Sequence, residues 1–212
     1  MTEEQSMRID TPITSVAALE ALYAQPAGQS LSKETRGLTP AYRAWVERAR
    51  FFAIATVGPE GVDCSPRGDA TGAAFAIEDA ETVLIPDRRG NNRLDTLRNL
   101  VRDPRCALLF LIPGVLETLR LAGRAEVAAD EALRQRFAVK DRLPATVIVL
   151  RLEAVYFQCA RALIRSDLWE PAAQLAPGAV PSAGEMTRSG DPGFDAASYD
   201  AALRPRQRRT LY

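Results

Sequence analysis

Short apolar segments separated by glycine- and proline-rich turns dominate the middle of this chain. Residues 51–57 (FFAIATV) run into the turn 58–61 (GPEG), and residues 62–67 return from it. Segments of this length that are bounded by turn residues are typical of a β-hairpin. Residues 74–77 and 82–86 flank an acidic turn and predict a second hairpin. Antiparallel pairing of short strands is therefore the main constraint on the fold.

Three more segments extend this pattern toward the C-terminus. Residues 105–112 predict a strand, and residues 119–127 predict a long strand with a bend or bulge at Gly123. Residues 145–157 (ATVIVLRLEAVYF) are rich in β-branched and aromatic side chains, which favour strands. The helices are short and do not alternate regularly with the strands, as they would in a parallel sheet. We expect a mostly β fold with peripheral helices, built as a small barrel of about six antiparallel strands.

Helical periodicity and capping residues mark the helices. Thr39 and Pro40 provide a capping hydroxyl followed by proline at the first helical position, which favours a helix start. Asn92 and Asp95 resemble a capping box that precedes an apolar helix face. The predicted helices cover residues 15–23, 40–50, 92–101, 130–138, 161–169 and 195–203.

Composition divides the chain into three parts. Residues 1–36 are expected to form an N-terminal helical extension, and residues 37–169 the barrel domain. Residues 170–212 are rich in alanine, proline, glycine and serine, and they contain too few large apolar side chains to form a core of their own. We expect an extended C-terminal arm, which is either a solvated tail or a segment laid across a partner subunit.

The chain contains no histidine. This excludes a Ser-His-Asp triad, a histidine-ligated haem and a histidine-bearing zinc site within one chain, and we predict no metal site. Lysine plus arginine total 27 and aspartate plus glutamate total 27, so the formal net charge is zero. A dedicated nucleic-acid-binding protein is usually basic, and none is expected here. Any catalysis must therefore use carboxylates, hydroxyls, thiols, arginine or a bound cofactor.

Several features indicate a cytoplasmic protein without membrane association. The acidic N-terminus lacks the basic and apolar regions of a signal peptide. The longest apolar run, residues 107–112, is far shorter than the roughly 20 residues that cross a bilayer. Three cysteines without CxxC spacing do not make a paired disulfide framework. Cys64 and Cys106 lie on predicted strands, and we expect both in the core.

Two polar stretches interrupt the strand pattern. Residues 65–69 (SPRGD) stand at the end of one strand, and residues 86–93 (PDRRGNNR) lead from a strand into a helix. Arginine donates charge-assisted hydrogen bonds, glycine lets the backbone approach a ligand, and a helix N-terminus favours an anion. The two stretches are consistent with a phosphate pocket. The alternative is a polar hairpin tip followed by an ordinary capped helix.

The order of these motifs resembles the pyridoxamine 5′-phosphate oxidase-like family of split barrels that bind flavin mononucleotide (FMN). The resemblance extends from about residue 37 to residue 169. It is carried by FFAIATVGPEG, VDCSPRGD, VLIPDRRGNNRLDTLRNLVRDPRCALLFLIPG and ETLRLAGRAEV. Within the family, the GNNRLDTLRN loop is similar to that of a bacterial branch. The resemblance implies a six-stranded antiparallel split β-barrel with FMN as the cofactor.

The resemblance implies flavin contacts on two strands. In the family, an arginine on the second strand holds the flavin phosphate, and Arg67 occupies that position with Ser65 beside it. The strand before the phosphate loop lies along the flavin ring and the ribityl chain. Ile85, Pro86 and Asp87 occupy that strand here.

The resemblance also implies contacts from a turn and from a second subunit. A Ser-Arg-Lys turn clamps the phosphate in the family, and Asn91, Asn92 and Arg93 stand there in this chain, so that Arg93 retains the cation. A glutamine that opens the long strand reaches the flavin of the other subunit. Thr118 is the nearest residue here and departs from that pattern. The family arrangement implies a homodimer with flavin sites at the subunit interface.

These implications favour an FMN-dependent oxidoreductase that acts on a small redox substrate. The vitamin B6 oxidases of the family hold their substrate phosphate with an Arg-x-His element and an upstream lysine. This chain has no histidine, and residues 67–70 (RGDA) depart from the lysine-bearing strand, so pyridoxamine phosphate is not the expected substrate. Two alternatives stay open, because a fold does not define an activity. They are a non-catalytic flavin or tetrapyrrole carrier on the same barrel, and a protein-interaction module with a vestigial pocket.

Overall fold

A computed structural model describes residues 9–70 and 72–212 of the chain. The chain divides into two compact units, one ending at Lys33 and the other beginning at Glu34. The first unit contains two short, exposed helices, α1 (Val16–Glu20) and α2 (Gly28–Ser32). The domain boundaries that we place after residues 36 and 169 stay predictions.

The second unit is built on one seven-stranded sheet in which every neighbouring pair is antiparallel. Its strands are β1 (Phe51–Gly58), β2 (Gly61–Gly68), β3 (Ala76–Ile77), β4 (Thr82–Pro86), β5 (Arg105–Leu111), β6 (Thr118–Ala128) and β7 (Val147–Gln158). They are arranged in the order β2-β1-β5-β6-β7-β4-β3. The predicted antiparallel fold is confirmed. All seven segments that the sequence assigns to strands form strands, one more than the six expected for the barrel, because the second predicted hairpin forms as the two-residue β3 paired with β4.

One hydrophobic core joins five strands of this sheet. The rings of Phe52 on β1 and Phe110 on β5 pack with their centroids 4.9 Å apart. Strands β1 and β4 are not neighbours in the sheet, yet both contribute to this cluster, so the sheet curves back on itself as a split barrel. The largest fully buried core side chains include Phe52, Ile54, Val83, Ile85, Leu108, Phe110, Leu119, Leu121, Ile148 and Leu150.

A bulge bends the sheet at Gly123, as the sequence predicts. The register between β6 and β7 shifts between Ala122 and Gly123. A Cβ atom at Gly123 would lie 1.9 Å from the carbonyl oxygen of Arg151. Only glycine therefore allows the backbone of β7 to approach this closely.

Short helices surround the sheet within the described part of the second unit. Thr39 accepts a 3.2 Å hydrogen bond from the N–H of Tyr42, with Pro40 at the first position, which confirms the predicted start of α3. No helix in the described ranges is long and apolar enough to cross a membrane. The helices are α3 (Pro40–Val46), α4 (Asp95–Arg102), α5 (Glu131–Gln135), α6 (Arg161–Arg165), α7 (Ala183–Gly190) and α8 (Ala196–Arg209), with a 3₁₀ turn at Pro171–Ala173.

Residues 170–212 contain helices α7 and α8, of which α8 includes the helix predicted over residues 195–203 and α7 was not predicted. Ser182 and Glu185 form a capping box at the start of α7. Asp200 on α8 accepts hydrogen bonds from the Ser182 hydroxyl at 2.5 Å and from the N–H of Gly184 at 2.8 Å. Caps and polar contacts between the two helices order this segment in the absence of a large apolar core.

A buried amide anchors α4 on β1. The Nδ2 atom of Asn99 donates to the hydroxyl of Thr56 at 3.2 Å, and both side chains are buried. A Cβ atom at Gly58 would lie 2.1 Å from the Oδ1 atom of Asn99, so glycine is needed for the helix to sit this close. This contact fixes the position of α4 and therefore of its N-terminus.

Candidate functional site

A cleft opens where β2, β4 and the start of α4 meet. It encloses about 660 Å³, a volume within the range of small-molecule sites. Its walls come from the end of β2, the end of β4, the loop 87–94 and the first turn of α4. Both polar stretches that the sequence analysis identified therefore border the same space.

Alternation along β2 directs its polar side chains to one face. Asp63, Ser65 and Arg67 are partly buried and line the cleft, whereas Cys64 lies between them on the exposed face. This is the two-residue period of a strand. The expectation that Cys64 lies in the core is wrong for this reason, because Cys64 points to the exposed face of β2, away from the cleft. Cys106 on β5 is buried as expected.

Thr96 links β2 to α4. Its hydroxyl donates to the carboxylate of Asp63 at 2.7 Å and accepts from Nη2 of Arg67 at 3.2 Å. The hydroxyl of Ser65 donates to the same carboxylate at 2.9 Å. Arg67 also donates to the carbonyl of Pro66 at 3.1 Å. A guanidinium has five N–H donors, so Arg67 retains donors for a bound anion.

Strand β4 forms an apolar floor for the cleft. Ile85 and Pro86 are buried within it and line the cleft. The N–H of Asp87 donates to the carbonyl of Thr146 at 2.9 Å, which fixes the backbone where the strand ends. Partial burial raises the pKa of the Asp87 carboxyl above its ordinary value, and the positive charge of Arg67 acts in the opposite direction.

The loop between β4 and α4 turns sharply at the rim of the cleft. Asn92 and Leu94 have left-handed backbones, with φ of 59° and 62°. The side chain of Asn91 accepts the N–H of Arg93 at 3.1 Å. Asparagine tolerates such turns because its short side chain bonds locally. The loop thereby places Asn91, Asn92 and Arg93 along one wall.

Helix α4 begins later than the sequence predicts, and the predicted capping box is wrong. Asp95 is the first helical residue, and Leu94 precedes it as an N-cap without a side-chain acceptor. The left-handed backbone at Asn92 and Leu94 explains the difference, because it does not continue a right-handed helix. The N-terminus of α4 therefore faces the cleft without a capping side chain, and its N–H groups favour an anion there.

Two arginines of this loop differ in how firmly they are held. Nε of Arg93 pairs with Asp95 at 2.7 Å, which raises the pKa of Arg93, but its side chain is 74% exposed. Such an exposed pair contributes little stability and exchanges easily for a ligand. Arg88 instead donates to Asp69 at 3.0 Å and to the carbonyl of Phe137 at 2.7 Å. Arg88 thus has a structural role in the cleft wall.

The sequence did not predict the contact between Asp69 and Tyr212 that supports this wall. The carboxylate of Asp69 is 4% exposed and accepts the hydroxyl of Tyr212 at 2.5 Å. This hydrogen bond raises the pKa of Tyr212. The guanidinium of Arg88 lies 5.6 Å from the centroid of the Tyr212 ring. No local sequence pattern connects three positions that belong to three distant segments.

Most of the predicted ligand-binding residues lie around this cleft. Thr118 is the exception, since it is buried at the start of β6 opposite Gln158 and is not part of the cleft wall. The family resemblance assigns its contact to the other subunit, and that role stays a prediction. Among residues 9–70 and 72–212, no group of three acidic or cysteine side chains is arranged to hold a metal ion. The predicted residues that line the cleft are Ser65, Arg67, Ile85, Pro86, Asp87, Asn91, Asn92 and Arg93.

Residues 38–159 match the family model of pyridoxamine 5′-phosphate oxidase. The match covers more than half of the chain, from the residues before β1 through β7, and so includes the whole cleft. This chain belongs to that family. The resemblance inferred from the motifs is therefore confirmed.

Several solved structures are also similar to this chain. HupZ from Group A Streptococcus is 18% identical, with a TM-score of 0.45 over 56% of this chain and 91% of that chain. A Clostridium acetobutylicum protein related to general stress protein 26 is 14% identical, with a TM-score of 0.44 over 56% of this chain and 86% of that chain. An F420 reductase is 19% identical, with a TM-score of 0.40 over 57% of this chain and 98% of that chain. No curated protein matches the sequence significantly.

Proposed function

We propose that this protein binds FMN in the cleft and acts as an FMN-dependent oxidoreductase on a small redox substrate. The observation that carries the proposal is the meeting of two surfaces in one cleft. Anion-binding groups come from β2, the loop 87–94 and the N-terminus of α4, and they stand beside the apolar end of β4. A phosphate and a flat, largely apolar ring need such surfaces side by side.

The proposed phosphate ligands are Arg67 and Arg93, with Ser65, Asn91 and Asn92 around them. Arg67 has spare N–H donors beside the start of α4. Arg93 is bound only to an exposed carboxylate, and a phosphate dianion replaces that partner at little cost. The uncapped N-terminus of α4 adds a favourable dipole at the same place. The donor set therefore fits a phosphate.

The ring and the ribityl chain are proposed to lie along Ile85, Pro86 and Asp87. The first two residues offer an apolar surface, and Asp87 offers an acceptor at the end of the strand. When bound, FMN supplies the hydride or single-electron transfer, while the protein supplies position and electrostatics. The absence of histidine is compatible with this function, because the flavin itself carries the redox chemistry.

Members of this family are typically dimers, and one face of the sheet supports the same assembly here. Ala55, Ala107, Ala122 and Ala154 are register partners across β1, β5, β6 and β7, and none of them is buried in the core. A row of small side chains makes this part of the sheet flat, which allows close approach of a second sheet. We propose a homodimer that packs through this face, with flavin sites at the subunit interface.

The substrate is proposed to be different from pyridoxamine 5′-phosphate. The chain has no histidine for an Arg-x-His element. Along residues 67–70 (RGDA), Arg67 points into the cleft and Asp69 is held by Arg88 and Tyr212, so no lysine stands at the end of β2. An assay of the FMN-loaded protein with pyridoxamine 5′-phosphate tests this directly. Turnover of about 1 per second or more would contradict the assignment.

The decisive experiment for the proposed function is the visible spectrum of freshly purified protein, followed by mass analysis of what denaturation releases. We expect a flavin spectrum, or one that appears on titration with FMN. A colourless protein that does not bind added FMN would contradict the proposal. Mixing the flavin-loaded protein with a reduced nicotinamide cofactor then separates an enzyme from a carrier. Rapid flavin reduction supports the oxidoreductase, and tight binding without turnover supports the carrier.

A further inference from the structure

Four carboxylates line the cleft, and one of them differs from the others in its partners. Asp63 accepts hydroxyl hydrogen bonds, Asp69 accepts from Arg88 and Tyr212, and Asp95 accepts from Arg93. The carboxylate of Asp87 accepts no hydrogen bond from any residue that the structure describes. It is therefore the cleft carboxylate that a bound molecule can engage without first displacing a protein donor.

The surroundings of Asp87 favour its neutral form at a higher pH than usual. It emerges from the buried end of β4 and is itself partly buried, and desolvation disfavours a carboxylate. The N–H of Asp87 donates to the carbonyl of Thr146, an uncharged residue that directly precedes β7. The charged groups on the other elements around the cleft are Asp63, Arg67 and Asp69 from β2 and its end, Arg88 and Arg89 from the loop, and Arg93 and Asp95 at the start of α4.

No other described side chain of the cleft is suited to proton exchange near neutral pH. The walls, as far as the structure describes them, contain no histidine, lysine, cysteine or tyrosine. Arginine does not lose its proton in proteins, and the hydroxyls of Ser65 and Thr96 are already engaged with Asp63. Asp87 is therefore the carboxylate lining the cleft that can exchange a proton with a bound molecule without first losing a hydrogen bond to another described residue.

We propose that Asp87 exchanges a proton with the molecule bound in the cleft. This inference rests on the proposed function, in which that molecule is FMN or a substrate above it. In the forward direction, the O–H bond of neutral Asp87 breaks, its proton bonds to a basic atom of the bound molecule, and a carboxylate remains. The carboxylate then recovers a proton from water. The step moves one proton and no electrons, so it needs no further reactant.

Calorimetric titration with FMN in two buffers of different ionisation enthalpy tests the proposal without any turnover. Bound FMN removes water from Asp87 and adds negative charge nearby, so binding should draw a proton onto wild-type protein at pH values above the ordinary aspartate pKa. Asp87→Asn has no such group and should take up fewer protons, by up to one per site. The phosphate of FMN ionises in both titrations, so the difference between the two proteins isolates Asp87.

Two further proteins complete the test. Asp103→Asn removes a carboxylate outside the cleft, one held by Arg105, and its proton uptake should equal that of wild type. Asp87→Glu keeps a titrating carboxyl and should restore the uptake. Equal uptake by wild type and Asp87→Asn, with FMN bound by both, would overturn this proposal and leave the flavin site intact. Failure of wild type to bind FMN would overturn the proposed function as well.

A direct measurement covers the case in which Asp87→Asn does not fold. Carboxyl ¹³C resonances of wild-type protein labelled at aspartate report the pKa of each carboxyl with and without FMN. We expect one cleft aspartate to have a raised pKa that rises further when FMN binds. An unchanged set of carboxyl pKa values on FMN binding would overturn the proposal.

Discussion

The hydroxyl of Tyr212 donates a 2.5 Å hydrogen bond to the carboxylate of Asp69, although 143 positions separate the two residues in the sequence. Arg142 holds the same residue through its backbone, since its Nη1 atom donates to the backbone oxygen of Tyr212 at 2.5 Å. Arg88 bonds to the same carboxylate and lies over the tyrosine ring. Tyr212, which follows α8, thus supports two residues of the cleft wall without lining the cleft itself.

Removal of this hydroxyl should loosen the cleft wall. We expect Tyr212→Phe to lower the free energy of unfolding by about 1.5 kcal/mol, because a hydrogen bond to a charged group is lost. FMN affinity should fall because Asp69 loses a partner, while the ring beneath Arg88 is kept. Thermal melts and FMN titration measure the two effects. Tyr199→Phe is the control, since its hydroxyl makes no hydrogen bond within the described part of the chain and its ring packs on Phe194. Equal behaviour of the two variants would contradict the prediction.

If Arg67 and Arg93 bind the FMN phosphate, substitution of either one should weaken FMN binding strongly, and substitution of an arginine elsewhere should not. Arg67→Ala and Arg93→Ala each remove a charge-assisted donor that is worth roughly 1.5 to 3 kcal/mol, which corresponds to about tenfold to more than a hundredfold in the Kd for FMN. Fluorescence titration measures the change. Arg102→Ala removes the same charge from the far end of α4, where the side chain pairs with Glu60, and should leave the Kd nearly unchanged. Unchanged affinity in both cleft variants would remove the assignment.

The pairing of the strands was predictable from the sequence, because turn residues mark where each strand begins and ends. The turn 58–61 encodes the β1–β2 hairpin, and the bulge at Gly123 follows from a glycine inside a strand pattern. Two features were not predictable from local pattern. The start of α4 depends on left-handed turns at Asn92 and Leu94, where leucine is an unusual residue. The exposure of Cys64 depends on which face of β2 packs inward, and a short polar strand does not reveal that from its own sequence.

The residues of the candidate site were predictable where they lie together on one strand or in one loop. Ser65 and Arg67 share a face of β2 because strand side chains alternate, and Asn91 to Arg93 follow directly from β4. Contacts between distant segments were not predictable. The bonds from Thr96 to Asp63 and from Tyr212 to Asp69 join elements whose approach is set by packing rather than by spacing.

Close backbone contact at the bulge predicts a strong effect on stability. Gly123→Ala would place a Cβ atom 1.9 Å from the carbonyl oxygen of Arg151, so β6 and β7 must separate or change register. We expect a loss of about 3 kcal/mol in the free energy of unfolding, the upper end for overpacking. Chemical denaturation measures it. Gly190→Ala is the control, because nothing lies within 4 Å of its added Cβ atom. A small change at Gly123 would show that the bulge adapts.

The three thiols should differ sharply in reactivity. Burial raises the pKa of Cys106 to about 12, whereas Cys64 and Cys159 are exposed. At about pH 8, a thiol-specific reagent should modify Cys159 in the folded protein and Cys106 only after denaturation. Cys64 is the register partner of Ala55, so it should react only where a second subunit does not cover the alanine row. Above the ordinary thiol pKa of 9.0, the unfolded chain loses the Cys106 proton and the folded chain keeps it. The free energy of unfolding should therefore fall as pH rises beyond that value. Rapid modification of all three thiols in folded protein would contradict the assignment.

The alanine row across the sheet predicts where a second subunit packs. Ala107 lies at the centre of the row, between Ala55 and Ala122, so Ala107→Glu would place a carboxylate against the partner sheet and separate the subunits. Sedimentation should then report the mass of one chain instead of two, and FMN affinity should fall if the flavin sites lie at the interface. Val101→Glu is the control, since Val101 is 76% exposed on α4, which packs through Asn99 on Thr56 and so on the opposite face of β1 from Ala55, and it should stay dimeric. Dimeric Ala107→Glu would exclude this face as the interface.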